Sequence, residues 1–193
     1  MSFDFRPLSE LDAVNFLLSG IHEQPVSTII ESKVGAALLA RNTLHRYNRM
    51  VQEKGLHCNT EKDITLYPNT DNNILVPNNT LVFDATYPTD DLVLRGSKVY
   101  NLTDHTFTFT SSIQADLVFF LPYDELPAHV RTYVAVVAAQ KFHMEVLNEN
   151  ADANYLREEA LLSRRDFRRN ELRAADVNLN RNNPFLRAGL RRF

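Results

Sequence analysis

The chain changes from strand-like to helical sequence at Leu117-Val118-Phe119-Phe120-Leu121-Pro122-Tyr123-Asp124-Glu125-Leu126-Pro127. The first five of these residues are apolar, as in a buried strand, and a proline ends the run. Asp124 and Glu125 place negative charge where a helix begins, and Pro127 fits a first helical position. We therefore expect a helix from Pro127 to about Leu147, although its valines would also suit a buried strand.

Residues 56–122, which precede this helix, hold short runs rich in β-branched and aromatic residues that Pro, Asn, Asp and Gly separate. Arg95-Gly96-Ser97 is typical of a hairpin turn, and Phe107 and Phe109 alternate with threonines as in a strand with one face covered. Six or seven strands at this spacing predict a small β-sandwich or barrel. The runs are 64–67, 74–76, 80–83, 92–94, 98–100, 106–110 and 117–121.

Three further helices are predicted around this β lobe, at about 9–19, 32–54 and 151–177. Ser9 and Asp12 resemble a capping pair, and Gly55 lies where a left-handed cap belongs. The fold class is therefore α+β, in which a bundle of about four helices is interrupted by a β lobe. We divide the chain into a bundle (1–55 and 123–177), an inserted β domain (56–122) and a C-terminal arm (178–193) without periodic pattern.

Composition excludes several classes of protein. Of 193 residues, 44% are hydrophobic and 23% charged, which is typical of neither a disordered chain nor a membrane protein. The longest dense apolar run, 133–139, is shorter than the roughly 20 residues that a bilayer requires. Residues 1–6 lack a secretory pattern, and Cys58 is the only cysteine. We expect synthesis in a reducing cytoplasm and no membrane partner.

Charge is distributed unevenly. Residues 151–193 hold ten arginines, no lysine and six acids (+4), whereas residues 1–150 hold eleven basic and eighteen acidic residues (−7). Such an asymmetry indicates that charge guides association, although a solvated basic helix would also account for it.

Five motifs, in order over residues 8–147, resemble tail tubular protein A, the head-to-tail adaptor of short-tailed podophages of the autographivirus kind. They are Leu8–Asn15, Gly20–Thr28, Ile64–Pro68, Tyr123–Pro127 and Gln140–Phe142. The resemblance implies a virion protein of the head–tail junction, of which twelve copies form a ring beneath the portal. It also implies a nozzle, tail tubular protein B, below the ring, and tail fibres near that junction. The ring would retain packaged DNA and line the channel during ejection.

A ring subunit needs two complementary side faces, because each copy contacts its neighbour head to tail. The second and third helices could supply these faces, the third through its apolar run Tyr133–Ala139. That run is also what the buried centre of the bundle would require.

The fourth helix carries the candidate docking residues. At 100° per residue, Arg157, Arg164 and Arg168 lie within about 40° of each other. We expect Glu171 to reach Arg168, which leaves most of the row without opposite charge. A docking surface for the portal fits this pattern, since guanidinium groups bind carboxylates in pairs. The apolar members of the predicted surface are Leu156, Ala160 and Phe167 on the helix, with Phe185, Leu186 and Phe193 of the arm.

DNA is the second candidate partner of these arginines. A channel that must release its genome should not bind it tightly, because each neutralised phosphate strengthens binding. The acidic body suits a channel wall, so we expect transient, non-specific contact with double-stranded DNA.

The alternative class is an enzyme, most naturally a glycoside hydrolase, which would need two carboxylates about 5–10 Å apart across a sugar. The carboxylate pairs Asp90-Asp91, Asp124-Glu125 and Glu158-Glu159 are sequence neighbours, which do not converge from opposite sides. In the absence of tryptophan, sugars would have to stack on tyrosines such as Tyr67, Tyr87 and Tyr123. His57 and Cys58, in a predicted strand, should point to opposite faces. We assign no catalytic residue, no metal site and no cofactor.

Overall fold

The computed structural model describes residues 7–28, 35–88, 90–147 and 153–175, with the backbone alone for 153–156. Within these ranges the fold is mixed α+β, with four helices and five antiparallel strands. The helices are α1 (Glu10–Ser19), α2 (Gly35–Gln52), α3 (Ala128–Leu147) and α4 (Ala153–Ala174), and a 3₁₀ turn spans Tyr123–Glu125. The strands are β1 (Thr60–Leu66), β2 (Thr80–Tyr87), β3 (Leu92–Arg95), β4 (Lys98–Asn101) and β5 (Ile113–Phe119).

The predicted helix boundaries rest on local chemistry that the structure shows directly. The Ser9 hydroxyl accepts a hydrogen bond from the Asp12 N–H (3.2 Å), and the Asp12 carboxylate accepts one from the Ser9 N–H (3.0 Å). This capping box confirms the start of α1. Gly55 has the positive φ (+71°) of the predicted left-handed cap. Pro127 precedes α3 by one residue, and its carbonyl accepts from the N–H groups of Val130 and Arg131.

Helix α3 is the centre of the helical part and packs against α1, α2 and α4. Tyr133, Val134, Ala135 and Ala138 are all buried in the main apolar cluster, together with Phe142. The valine-rich run is therefore helical and is buried among the helices of the subunit, so the alternative of a strand is wrong. None of the described helices is long and apolar enough to cross a membrane.

The β lobe consists of two small sheets, a three-stranded sheet in the order β1-β5-β2 and a β3–β4 hairpin. Gly96 (φ +68°) lies in the predicted hairpin turn, because Arg95 pairs with Lys98. Predicted strands 74–76 and 106–110 are wrong, since both segments make only isolated bridges. The apolar residues of these two segments are explained by burial instead. Ile74, Val76 and Phe109 pack in a second apolar cluster, but their segments do not form a continuous β ladder. Closure of these strands into a sandwich or barrel stays a prediction, as do the domain boundaries.

Buried amides join the two parts of the molecule. The Gln52 side chain, at the end of α2, donates to the Leu121 carbonyl (2.9 Å) and accepts from the Leu121 N–H (2.8 Å). Asn59 donates to the Phe119 carbonyl (2.7 Å) and accepts from the Leu56 N–H (2.8 Å). The chain passes from α2 into β1 and from β5 towards α3, and these hydrogen bonds hold the two connections together. They thereby fix the β lobe beside the end of α2.

Candidate docking surface on α4

One face of α4 attaches the helix to α3. The Phe167 ring stacks on the Tyr133 ring, with centroids 4.4 Å apart and planes inclined by 13°. The His129 ring lies 6.2 Å from the same phenylalanine. Phe167 therefore packs inside the subunit and contributes to the main apolar cluster, on the side of α4 that faces α3. A docking role for this side chain would require α4 to leave α3.

Glu171 strengthens the same attachment. One carboxylate oxygen accepts from the Nε2 atom of His129 (2.7 Å), and the other accepts from the backbone N–H of His57 (3.0 Å). The expected contact of Glu171 with Arg168 is absent from the ion pairs of the described residues. The carboxylate instead faces inward, because it satisfies groups of two other segments.

A neighbouring face of α4, about 60–100° around the helix from Phe167, carries cations that have no ionic partner among the described residues. Arg157, Arg164 and Arg168 are all exposed, and within α4 the described ion pair joins Arg169 to Asp166 (3.1 Å). Helix α2 offers the contrast within the same molecule. Its arginines Arg41, Arg46 and Arg49 pair with Glu10, Glu145 and Glu53 at 3.0, 2.6 and 3.2 Å. We call Arg157, Arg164 and Arg168 the arginine row.

Exposed leucines accompany the arginine row. Leu161, Leu162 and Leu172 are 56%, 53% and 60% exposed. At 100° per residue, Leu161 and Leu172 lie about 20–40° beyond Arg168, away from α3. A surface depression of about 470 Å³ lies here, lined by Glu158, Leu161, Leu162, Arg164, Arg165 and Arg168. Neighbouring exposed apolar side chains rimmed by polar residues are typical of protein contact surfaces.

The structure leaves the three arginines of the predicted surface exposed, whereas Phe167, from its predicted apolar part, packs against α3. Leu161 and Leu172 were missed, although their helical positions between Arg168 and Arg165 could have identified them. Ala160 is half-buried on the side of Phe167. Leu156 lies in the first turn of α4. Phe185, Leu186 and Phe193 lie outside the described residues.

The residues weighed for catalysis are dispersed. Tyr123 is buried, its hydroxyl donates to the Arg131 carbonyl (3.0 Å), and burial raises its pKa, so it offers no sugar platform. His57 and Cys58 lie in a turn before β1, not in the predicted strand. Burial, and secondarily the Glu171 carboxylate, raises the pKa of the Cys58 thiol, which disfavours the nucleophilic thiolate. No group of three or more metal-ligating side chains occurs in the described part of the chain.

Comparison with known proteins shows the family of the chain. A family model described as "Tail tubular protein" matches residues 11–178. The chain is also 32% identical over 154 residues to tail tubular protein A of Klebsiella phage KP34, an alignment that covers 78% of this chain and 81% of that relative. Residues 11–178 contain α1 from its second residue onward, the three other described helices, both sheets and the arginine row.

Proposed function

The chain belongs to the tail tubular protein family and is a structural protein of a phage tail, and we propose that it forms the adaptor ring that joins the portal to the tail nozzle. In this proposal twelve copies form the ring at the head–tail junction. The portal binds on one side, the nozzle protein, tail tubular protein B, binds on the other, and tail fibres attach near that junction.

The observation that carries the proposal is the arginine row beside the exposed leucines. Burying such cations against another protein is favourable when carboxylates meet them, since charge-assisted hydrogen bonds are roughly twice as strong as neutral ones. Arginine is also one of the residue types enriched at binding hot spots. We assign this surface to the portal, with Phe185, Leu186 and Phe193 of the arm as further contacts.

The charge of the β lobe supports a channel that releases DNA. Residues 56–122 hold eight acids and three basic residues, a net charge of −5. A wall of this sign repels phosphate, so the ring can retain packaged DNA by closure and still let it pass without tight binding. Contact with genomic DNA is transient and non-specific in this account.

Electron microscopy of the purified protein mixed with portal tests the proposal. We expect rings of the protein capping one end of the portal, with α4 at the contact. A portal that remains bare at saturating protein concentration would contradict the assignment. Leu161→Asp/Leu172→Asp is the matching variant, because both side chains are exposed and their replacement leaves the bundle core intact. It should fold normally and fail to cap the portal.

A further inference from the structure

The three-stranded sheet presents a second unusual surface, on the face turned away from its core. Ala115 and its neighbours at alternate positions of β5 are buried, so Gln114 and Asp116 point outward. Across the ladders, Asp84 pairs with Asp116, and Tyr87 pairs with Gln114. Tyr67 follows Thr65, the partner of Gln114 on the other side, by two residues. We call Tyr67, Asp84, Tyr87, Gln114 and Asp116 the outer sheet face.

The charges on this face are not balanced within the described residues. Asp84 and Asp116 lie directly opposite each other, an arrangement of like charges that destabilises a sheet. Asp116 accepts a hydrogen bond from the Asp63 N–H (2.9 Å), and no described cation pairs with either carboxylate. A cation bound at this face would relieve that repulsion.

Two tyrosines lie on the same face as the carboxylates, towards the Gln114 end of the sheet, and are the most exposed aromatic residues described. Tyr67 is 73% exposed and Tyr87 is 63% exposed. An aromatic face beside a carboxylate suits a guanidinium group, which stacks on the ring while it donates to the acid. Stacking of a guanidinium group on a tyrosine ring occurs elsewhere in the chain, where the Arg95 guanidinium lies 3.6 Å from the Tyr100 ring centre. The outer sheet face therefore has the chemistry of an arginine-peptide site.

Segment 178–193 of the same chain has the matching composition. It contains four arginines, no acid, and Phe185 and Phe193 among other apolar residues. Its charge of +4 opposes the −5 of the β lobe. The arginines are Arg181, Arg187, Arg191 and Arg192.

The path of the chain brings this segment to the lobe. Glu171, in the last turn of α4, accepts from the N–H of His57, which precedes β1 by three residues. The chain thus leaves α4 at the base of the sheet. Sixteen extended residues span up to about 50 Å, and a seven-residue strand about 23 Å, so the segment can cover the outer sheet face of its own subunit.

We propose that segment 178–193 binds the outer sheet face of its own subunit through arginines that stack on Tyr67 or Tyr87 and pair with Asp84 and Asp116. Bound there, the segment keeps its cations covered until an acidic partner competes for them. This self-contact goes beyond the ring assignment and does not depend on it.

Limited trypsin digestion of the full-length protein tests the contact, because trypsin cleaves after arginine and a bound segment is cleaved slowly. Intact-mass analysis would follow the products that end at Arg181 and Arg187. We expect Asp84→Asn/Asp116→Asn to raise both cleavage rates at least fivefold, and Tyr67→Ala/Tyr87→Ala to do the same. The aspartate variant removes a repulsion and both tyrosines are exposed, so folding should be unaffected, which circular dichroism would verify.

Glu23→Gln/Glu125→Gln is the matched control, since it removes two exposed carboxylates of the helical part. It should leave the cleavage rates unchanged. Equal rates for wild type and both sheet-face variants would overturn the proposal. Protection that grows with protein concentration would also overturn it, because the segment would then bind a second copy.

Discussion

Replacing Phe167 with alanine should loosen α4 from α3 without touching the arginine row. Truncating a fully buried phenylalanine costs about 3–5 kcal/mol of unfolding free energy. Phe167 is half-buried and loses a stacked partner at 4.4 Å. We therefore expect about half of that cost, roughly 2 kcal/mol, of which about 1 kcal/mol belongs to the aromatic pair.

Equilibrium unfolding in urea measures this cost. With a slope of about 2 kcal/mol per M, the midpoint should fall by about 1 M. Leu172→Ala on the opposite face is the matched control, because its side chain is 60% exposed. It should change the unfolding free energy by less than about 0.5 kcal/mol. A Phe167→Ala protein with the wild-type midpoint and impaired portal binding would refute the packing role and restore the residue to the docking surface.

Two further substitutions test the hydrogen bonds of Gln52 and the ion pairs of Glu10. Gln52→Ala should lower the unfolding free energy by about 3 kcal/mol in urea titrations, because it leaves the Leu121 N–H and carbonyl without their hydrogen-bond partner. A loss below about 1 kcal/mol would show that this amide does not hold the helices and the β lobe together. Burial of Glu10 opposes its ionisation, but hydrogen bonds from His45 and Arg41 outweigh it and hold the pKa of the carboxyl below its ordinary 4.5. The resulting stabilisation is present above that ordinary value and is lost as pH falls through the lower folded value. The difference in unfolding free energy between wild type and Glu10→Gln should therefore be smaller at about pH 3 than at about pH 7. A difference that does not change with pH would show that the ion pairs of Glu10 are not its cause.

The helices could be predicted from the sequence because their signals are local. The capping box at Ser9 and the left-handed Gly55 act within a few residues, so each boundary falls close to its predicted place. The strands at 74–76 and 106–110 could not be predicted correctly for the opposite reason. Burial of Ile74 and Phe109 depends on distant parts of the lobe, and an apolar run does not reveal whether a neighbouring strand pairs with it.

For the candidate docking surface, too, some features follow from local sequence and others depend on distant residues. The arginine row follows from helical periodicity alone, which fixes the relative directions of Arg157, Arg164 and Arg168. Which side of the helix faces the protein depends on α3, whose Tyr133 stacks on Phe167. Sequence periodicity shows an aromatic residue beside the row but does not identify that partner, so it could not show that Phe167 packs inside the subunit.

The most direct test of the adaptor assignment is the affinity of purified portal for two charge-reversed proteins, measured by biolayer interferometry at fixed ionic strength. Arg164→Glu/Arg168→Glu changes the arginine row, whereas Arg169→Glu/Arg173→Glu makes the same change in charge about 100° or more around the helix. We expect the first variant to bind portal at least 30-fold more weakly than wild type, since like charges meeting at an interface cost several kcal/mol, and the second to bind nearly as well as wild type. Equal affinities for the two variants would contradict the claim that this face of α4 meets the portal.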